Sequence, residues 1–517
     1  MLILGLMLTL TMPLYAQFYN GIHHPFGKNR IQYEEFLWKK YEFKDYTVFF
    51  YEEGRNLAVF TARQADQTIS EVERFFDYPV RSERLQFVIY EKMEHFRQSN
   101  VGIPETDESN IGGTTQIAGN KIFLYFNGDL NDLRRQIRKG ISEVLIAQML
   151  FGDNWREMIK NSTLLNFPDW YIDGLTWYAT EPWSIEADDR LRDIVLSGRY
   201  KNFNRLKGID SEIAGRSLWY YIGETYGSKV IPNIMYMARV SRNVESGFMF
   251  VLGISMNTLL QDAQEYYEFR YEQDAEGAQE FGDFIPIKTR KKLDYSDLKV
   301  SDDGKYISYA SNDLSKTKFW VYDTEDDKRK RYLRQGHRLD RINDLSYPII
   351  DWNEATGRFM VITEQKGQIC MYQVDPKTGI ESKSEVLRLE KVLEMDVSDD
   401  GKQILFSAIN KGQTDIYLYS VAARSQKQLT DDIFDDRYPS FWNEQVMFSS
   451  NRTNDTVDLA NSYVDYAPAK SFDLFALDIN GSNEALRLTD SPNSNEIHGQ
   501  MIDETSFVYL GTESGIR

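Results

Sequence analysis

The first half of the chain is organised around the stretch RKGISEVL, residues 138–145. Apolar side chains around it recur at helical spacing, which predicts an α-helix over residues 131–151. A second apolar set lies roughly on the opposite side, so we expect a core helix with other elements packed on both sides. The first set is Leu133, Ile137, Ile141, Val144, Leu145 and Gln148, and the second is Ile146 and Leu150.

Composition limits the classes of function that need to be considered. The chain has 517 residues, of which 42% are hydrophobic and 27% are charged, as in globular proteins with several domains. The net charge of −19 argues against a nucleic-acid partner, which requires a basic surface. Cys370 is the single cysteine, so no intrachain disulfide can form, and its strand-like context predicts a buried, unreactive thiol.

The first 16 residues, MLILGLMLTLTMPLYA, form an apolar run that ends in a small residue. This pattern predicts a cleaved secretory signal peptide, although a positively charged start is missing. A membrane anchor is the competing interpretation, but the run is short for a bilayer span. No later stretch is long and apolar enough to cross a membrane. We therefore expect an exported mature protein without a transmembrane segment, in the periplasm or peripherally associated with the outer membrane.

The elements on either side of the helix predict an α+β domain over residues 17–280. Strands are expected at residues 47–51, 85–90 and 121–126, and a polar loop at residues 103–119. Helical patterns cover residues 56–76, 91–99, 170–180, 188–197, 215–226, 228–240 and 256–272. A mixed segment at residues 274–292 has little apolar pattern and marks the domain boundary.

The second half, residues 281–517, has an all-β repeat pattern. The turn SDDGK occurs at residues 301–305 and again at 398–402, and looser copies start near residues 352, 441 and 502. A period of roughly 45–50 residues is the size of a four-stranded propeller blade. We predict about four complete blades and a partial fifth, whose outer strands come either from a continuation of the chain or from elsewhere.

These repeats resemble TolB-like periplasmic propellers. The resemblance rests on the SDDGK turns, on SSNR at residues 449–452 and on the LTD closes at 429–431 and 488–490. It implies loops and a channel that bind protein partners. Similar blades precede the peptidase domain of the prolyl oligopeptidase group, which needs a G-x-S-x-G elbow. The nearest match, GTESG at residues 511–515, has its serine one place late, so a peptidase domain beyond Arg517 is kept only as an alternative.

Residues 40–272 resemble the peptidase-MA-like gluzincins in the order of their elements. An edge strand at residues 121–126, the central helix and the later segment FPDWYIDGL at 167–175 follow the order of that family. The resemblance maps the two histidines of its H-E-x-x-H motif onto Lys139 and Glu143, its catalytic glutamate onto Gly140, and its third ligand onto Asp173. A zinc peptidase needs two imidazoles and a general base here. We therefore expect no metal, no cofactor and no zinc peptidase activity.

None of the five histidines, at positions 23, 24, 95, 337 and 498, lies in this helix. Lys139 and Glu143 share one helix face at i and i+4 spacing. If the fold of the family is kept, the ammonium of Lys139 lies between Glu143 and Asp173 and neutralises the site. The plainer interpretation is that Lys139 points to solvent.

Several functions remain open at this point. The first is a non-catalytic scaffold that binds protein partners in the cell envelope. The second is a hydrolase that uses Glu143 and Asp173 as a carboxylate pair, as glycosidases do. A third is carbohydrate binding by Trp170, Trp177 and Trp183, for which packing in the core is the plainer explanation.

Overall fold

The architecture is known from a computed structural model that carries side chains. It describes residues 34–51, 53–80, 84–99, 116–118, 120–152, 167–275, 287–290, 292–336, 345–386, 389–457, 467–480, 484–491, 494–503 and 506–513. The predicted signal peptide, the histidines at positions 23, 24 and 337, most of the predicted loop at 103–119, much of the boundary segment and the last four residues lie outside these ranges.

The first half contains a mixed five-stranded sheet in the order β1-β2-β3-β5-β4. Strands β2, β3 and β5 are parallel neighbours, while β1 and β4 run antiparallel at the two edges. The strands are β1 (Trp38–Glu42), β2 (Tyr46–Tyr51), β3 (Leu85–Tyr90), β4 (Gln116–Ala118) and β5 (Lys121–Tyr125). Two expectations were wrong: residues 116–118 form a strand instead of part of a loop, and this strand takes the edge position predicted for residues 121–126.

The described helices come mainly after the sheet, but the first lies between β2 and β3. They are α1 (Arg55–Phe76), α2 (Met93–Phe96), α3 (Leu130–Phe151), α4 (Asp169–Thr180), α5 (Ile185–Leu196), α6 (Ile209–Tyr226), α7 (Ile231–Ser241), α8 (Val244–Leu252) and α9 (Met256–Ala275), with 3-10 turns at Arg199–Arg205 and Ser228–Val230. Both apolar sides of α3 are buried, as expected, because the helix contacts β5, α1, α4 and α7.

The sequence pattern gave three helix starts wrongly, those of α5, α6 and α8. The helix predicted from residue 215 begins at Ile209. Local caps decide the other two. Ser184 accepts the N–H of Ala187 at 3.3 Å, so α5 begins earlier than predicted. Asn243 accepts the N–H of Ser246 at 2.9 Å and starts α8, which the apolar pattern did not predict. A side-chain oxygen at the N-cap satisfies a backbone donor that the helix itself cannot satisfy.

Two glycines set the distance between α4 and α6. A Cβ at Gly174 would overlap the backbone of Gly215, and a Cβ at Gly215 would overlap the carbonyl of Trp170. The helices therefore meet backbone to backbone at this point, which only glycine permits. This contact brings the first turn of α6 beside α4.

The second half is an all-β region of four-stranded antiparallel sheets, each formed by consecutive strands. The sheets are β6 (Asp294–Val300), β7 (Tyr306–Asp313), β8 (Lys316–Asp323) and β9 (Lys328–Gln335); β10 (Ile349–Asn353), β11 (Arg358–Gln365), β12 (Gln368–Asp375) and β13 (Gly379–Glu385); β14 (Lys391–Val397), β15 (Gln403–Asn410), β16 (Gln413–Ser420) and β17 (Ser425–Gln428); and β18 (Asp436–Trp442), β19 (Gln445–Ser450), β20 (Asp473–Asp478) and β21 (Leu486–Arg487). A two-stranded sheet of β22 (Glu496–Met501) and β23 (Phe507–Gly511) follows.

The first strands of successive sheets contact one another in the order β6, β10, β14, β18 and β22. Hydrogen bonds join them, since Asp351 accepts the N–H of Val397 and Asp396 accepts the N–H of Phe441, both at 2.7 Å. Sheets that meet through their first strands are arranged radially, as in a propeller. Cys370 lies buried on β12, as the sequence predicts.

The two halves meet at the start of α3. Asp435, in the turn before β18, accepts the N–H of Leu130 at 2.7 Å, so a carboxylate from the second half caps a helix of the first. The carbonyl of Gly128 accepts from Thr414 Oγ1 and from Arg437, each at 3.2 Å. In the described parts of the chain, no helix has the length and apolar character needed to cross a bilayer.

Candidate functional site

Lys139 and Glu143, the two residues singled out in the central helix, form an ion pair with each other. Lys139 and Glu143 lie one turn apart on α3, and Lys139 Nζ is 3.2 Å from Glu143 Oε1. The Lys139 side chain is 11% exposed and that of Glu143 is 22% exposed. Lys139 does not point to solvent, so the plainer interpretation of this residue was wrong.

Two further side chains complete the surroundings of the ammonium. Lys139 Nζ lies 5.0 Å from the ring centroid of Trp177 on α4, which is cation–π distance. Trp177 Nε1 in turn donates to Glu212 Oε2 on α6 at 3.0 Å. Three helices therefore contribute to one cluster, and the close contact of α4 with α6 holds Trp177 beside Glu212.

Asp173 lies on α4, one turn before Trp177, and remains exposed to solvent. Among the described residues it makes no ion pair with Lys139, so the ammonium contacts only one of its two expected carboxylates. Desolvation, with the nearby charges of Glu212 and Asp169, raises the pKa of Asp173 to about 6. Asp173 therefore influences the cluster through its charge without contacting the ammonium.

Glu143 has the more perturbed environment of the two carboxylates. Burial raises its pKa to about 7, the ammonium of Lys139 opposes this shift, and the charges of Asp173 and Glu212 add to it. One cation thus faces three carboxyl groups. Burial, to which the neighbouring acids add, therefore raises the pKa of Glu143 into the neutral range.

Gly140 is buried on α3 and supplies no functional group. Neither described histidine joins the cluster. His95 on α2 is buried, with Nδ1 2.6 Å from the Tyr51 hydroxyl, and burial lowers its pKa to about 4. His498 contacts the ring of Tyr438 in the second half. The described ranges hold no group of three or more His, Cys, Asp or Glu side chains arranged to bind a metal.

The tryptophans suggested for carbohydrate binding are mainly packing residues. Trp170 is buried and makes an edge contact with Phe203, so it cannot offer a ring to a sugar. Trp183 is partly buried and packs against Tyr220 and Tyr267. The carbohydrate hypothesis was therefore wrong for Trp170, and Trp177 belongs to the Lys139 cluster.

Sequence reasoning missed Glu212. It lies in the first turn of α6, where an acidic residue is common because it complements the helix dipole. Its indole contact depends on the approach of α4 to α6, and the glycines at 174 and 215 are the only sequence signal of that approach.

The cluster can bind a cation or exchange a proton near neutral pH. The combination of three carboxyl groups and an aromatic ring suits an ammonium ion. A carboxyl group with a pKa near 7 can also serve as a general acid or base. The geometry permits both uses, and the ammonium of Lys139 already occupies the position of the cation.

Comparisons with known proteins concern the second half of the chain. No protein-family model and no curated protein matches the sequence. The solved structures that resemble it include TolB from Acinetobacter baumannii, at 15% identity and a TM-score of 0.29, over 40% of this chain and 46% of that one. A putative TolB from Agrobacterium tumefaciens matches at 15% identity and a TM-score of 0.32, over 42% of this chain and 70% of that one.

The propeller domain of the Trilobed protease from Pyrococcus furiosus is also similar, at 8% identity and a TM-score of 0.28, over 40% of this chain and 60% of that one. Of the Acinetobacter TolB, the chain spans less than half of the length. The structural neighbours are TolB-like β-propellers and the propeller domains of peptidases. Similarities this low carry no conclusion about activity, substrate or partner.

Proposed function

We propose that this chain is an exported, non-catalytic protein-interaction scaffold, built from a gluzincin-like domain with a degenerate metal site and a TolB-like propeller. The observation that carries the proposal is the Lys139–Glu143 ion pair at 3.2 Å. Where the family resemblance calls for two neutral imidazoles, this chain has one cation and one anion that satisfy each other. A positive charge in the metal position repels Zn²⁺, and Gly140 offers no base to activate a water.

The proposed partners are proteins of the bacterial cell envelope, in the periplasm or at the outer membrane. The resemblance to TolB-like propellers supports this choice, together with the acidic net charge of −19, which disfavours nucleic acid. Fractionation of the native cells tests the location, and cross-linking followed by mass spectrometry identifies the partners.

Metal content tests the degenerate site directly. We expect the purified full chain, dialysed and analysed by elemental mass spectrometry, to contain zinc far below one atom per chain. A matched variant carries Lys139→His, Gly140→Glu and Glu143→His, which restores H-E-x-x-H on α3. If the gluzincin-like fold is correct, this variant gains zinc, with Asp173 in reach as a further ligand.

The zinc contents of the wild-type chain and of the triple variant test the non-catalytic proposal and the gluzincin-like fold separately. Zinc at about one atom per chain in the wild-type protein overturns the non-catalytic proposal. A folded triple variant that takes up no zinc overturns the gluzincin-like fold. The scaffold role is then tested by the cross-linking experiment alone. Circular dichroism of the variant establishes that it is folded.

One observation favours a second candidate, a hydrolase with a carboxylate pair. The pKa of Glu143 is raised to about 7 and that of Asp173 to about 6, and a raised pKa in a partly open site is typical of acid–base residues. In this proposal Glu143 is the general acid and Asp173 the base or nucleophile. The ion pair with Lys139 is the competing explanation for both groups.

A panel of aryl glycosides tests the second candidate. Hydrolysis that is lost in Glu143→Gln and in Asp173→Asn, and that falls at high pH as Glu143 ionises, supports it. Activity that persists in both variants comes from elsewhere in the chain or from a contaminant. A peptidase domain beyond Arg517, the remaining alternative, is tested by reading the gene past this codon.

A further inference from the structure

The contact between the third and fourth sheets of the second half contains a buried arginine. Arg452 follows β19 and is fully buried, with its guanidinium 2.8 and 2.7 Å from the two carboxylate oxygens of Asp436. Asp432 lies 3.3 Å from the same nitrogen. The rings of Phe448 and Phe475 lie 5.4 and 5.5 Å from the guanidinium carbon. A charged hydrogen-bonded pair of this kind compensates for the burial of the carboxylate.

The next contact, between the fourth and fifth sheets, repeats these positions without the arginine. Asp436 begins β18 and pairs across the ladder with Ser450, two residues before Arg452. Glu496 begins β22 and pairs with Gly511 in the same way. The residue two places after Gly511 is Glu513. The fifth sheet therefore carries an acid where the fourth carries the compensating guanidinium.

Glu496 is left without compensation as a result. Its relative exposure is 0%, and within the described ranges neither carboxylate oxygen has a hydrogen-bond partner. A buried carboxyl group without a partner is costly, so native proteins normally pair such groups. Glu496 thus marks a position where an interaction partner is missing.

A second carboxylate lies beside it. Asp473 is the first residue of β20, and Asp415 lies at a similar place near the start of β16. Burial and the charge of Glu496 raise the pKa of Asp473. Arg487 lies 3.6 Å from Asp473, but it also donates to the carbonyl of Arg452 at 3.0 Å and makes no bond to Glu496. The local cation is therefore already used, and Glu496 keeps its two free oxygens.

We propose that Glu496, with Asp473 beside it, is a binding site for a guanidinium group, which an arginine side chain of a protein partner supplies. The chemistry follows from the neighbouring site, where one guanidinium nitrogen of Arg452 contacts both oxygens of the equivalent carboxylate. Tyr509 lies close enough to Glu496 for the charge of Glu496 to raise its pKa, so an aromatic ring is also at hand. A planar, weakly hydrated guanidinium suits such a site better than an ammonium does.

The residues of the fifth sheet at the positions of Asn451 and Arg452 make polar contacts of their own. Glu513 is exposed and accepts from Ser491 Oγ at 2.6 Å, and Thr512 Oγ1 accepts the N–H of Asn495 at 2.8 Å. These bonds must open when an arginine enters at the position that Arg452 occupies in the fourth sheet. The inference concerns the propeller alone and does not depend on the degenerate metal site.

The first experiment uses N-acetyl-arginine amide as the probe and the full wild-type chain as the target. We expect a saturable rise in the unfolding temperature and a heat of binding in calorimetry. N-acetyl-citrulline amide has the same shape without the charge, and we expect it to bind about tenfold more weakly or not at all, since hydrogen bonds between charged groups are the stronger ones. Glu496→Gln should lose the response to the arginine probe.

The second experiment fills the site from within the chain. Glu513→Arg should raise the unfolding temperature without ligand and abolish the response to the probe, because its guanidinium occupies the site as Arg452 does. Glu513→Gln, the matched control, removes the acid without adding a cation and should keep the response.

Three results overturn the proposal. The first is a wild-type chain that does not respond to the arginine probe, whatever the variants do. The second is an equal response to the citrulline probe or in Glu496→Gln. The third is stabilisation by Ca²⁺ in place of the arginine probe, which assigns the carboxylates to a metal ion.

Discussion

Two of the buried ionic clusters, around Arg452 and around Lys139, solve the same problem differently. Around Arg452 a fully buried guanidinium makes two hydrogen bonds to Asp436 and lies between phenylalanine rings. Around Lys139 a single contact of 3.2 Å joins the ammonium to Glu143, while water still reaches part of the site. Both clusters hold more carboxyl groups than cations, but the first is closed to solvent, whereas the side chains of the second remain partly exposed.

The difference separates a structural ion pair from a candidate site. A guanidinium that is bound on all sides cannot exchange partners without unfolding its surroundings. The Lys139 cluster has one cation for Glu143, Asp173 and Glu212, and its carboxyl pKa values are raised into the neutral range. Spare acid and solvent access are the features that a binding or proton-exchange site requires.

Arg452→Met should have the largest effect on stability. The substitution leaves Asp436 and Asp432 buried without a cation, and breaking a buried pair in this way costs about 3–5 kcal/mol. The unfolding free energy from urea denaturation measures the loss. Arg487→Met is the matched control, because its side chain is 29% exposed and a partly exposed pair contributes about 1 kcal/mol or less. Equal effects of the two substitutions would mean that the buried guanidinium contributes no more to stability than a partly exposed ion pair does.

Lys139→Met should have an intermediate effect. It leaves Glu143 facing Asp173 and Glu212 without a cation, and a partly buried charged group that loses its partner costs about 1–3 kcal/mol. The loss of unfolding free energy should be present at about pH 8 and fade towards about pH 5, because Glu143 is then protonated and needs no cation. Urea denaturation at the two pH values measures it.

The double variant Lys139→Met, Glu143→Gln is the control for this prediction. If the ion pair is the reason for the loss, the second substitution should restore most of the stability at high pH. An unchanged midpoint in Lys139→Met would show that the ion pair makes no net contribution.

Much of the Lys139 cluster could be predicted from sequence because it is local. Lys139 and Glu143 are four residues apart on a helix whose apolar face is obvious, so their contact follows from helix geometry. The buried face of α3 follows from the same periodicity. The repeated SDDGK turns likewise predict successive sheets, because they recur at the length of one blade.

The rest of the cluster depends on contacts that no local pattern encodes. Trp177 and Glu212 meet only because Gly174 and Gly215 let two helices touch, and sequence spacing says nothing of that distance. The edge strand β4 is three residues long and pairs with a neighbour across a turn, which is too short for an alternation pattern. The free carboxylate of Glu496 emerges only when the ladder registers of two sheets are compared.

The smallest expected effect is a change in the pH dependence of stability. For a carboxyl group whose pKa is raised on folding, stability is present below the unfolded-state pKa and is lost as pH rises through the folded-state pKa. For Glu143 this window runs from the ordinary value of 4.5 to about 7. Because the side chain keeps some solvent access, we expect the slope to be below about 1 kcal/mol per pH unit.

Glu143→Gln removes this titration, so the difference in unfolding free energy between the variant and the wild type should grow in favour of the variant from about pH 4.5 to about pH 7. Asp173→Asn provides the comparison: its window lies lower, from 3.8 to about 6, and its exposure makes the change smaller. Urea midpoints at half-unit pH steps (roughly) separate the two windows, since contributions from all other groups cancel in the differences. Parallel curves for Glu143→Gln and the wild type would mean that Glu143 is fully solvated, and the Lys139 cluster would then be an ordinary surface ion pair with no claim to a function.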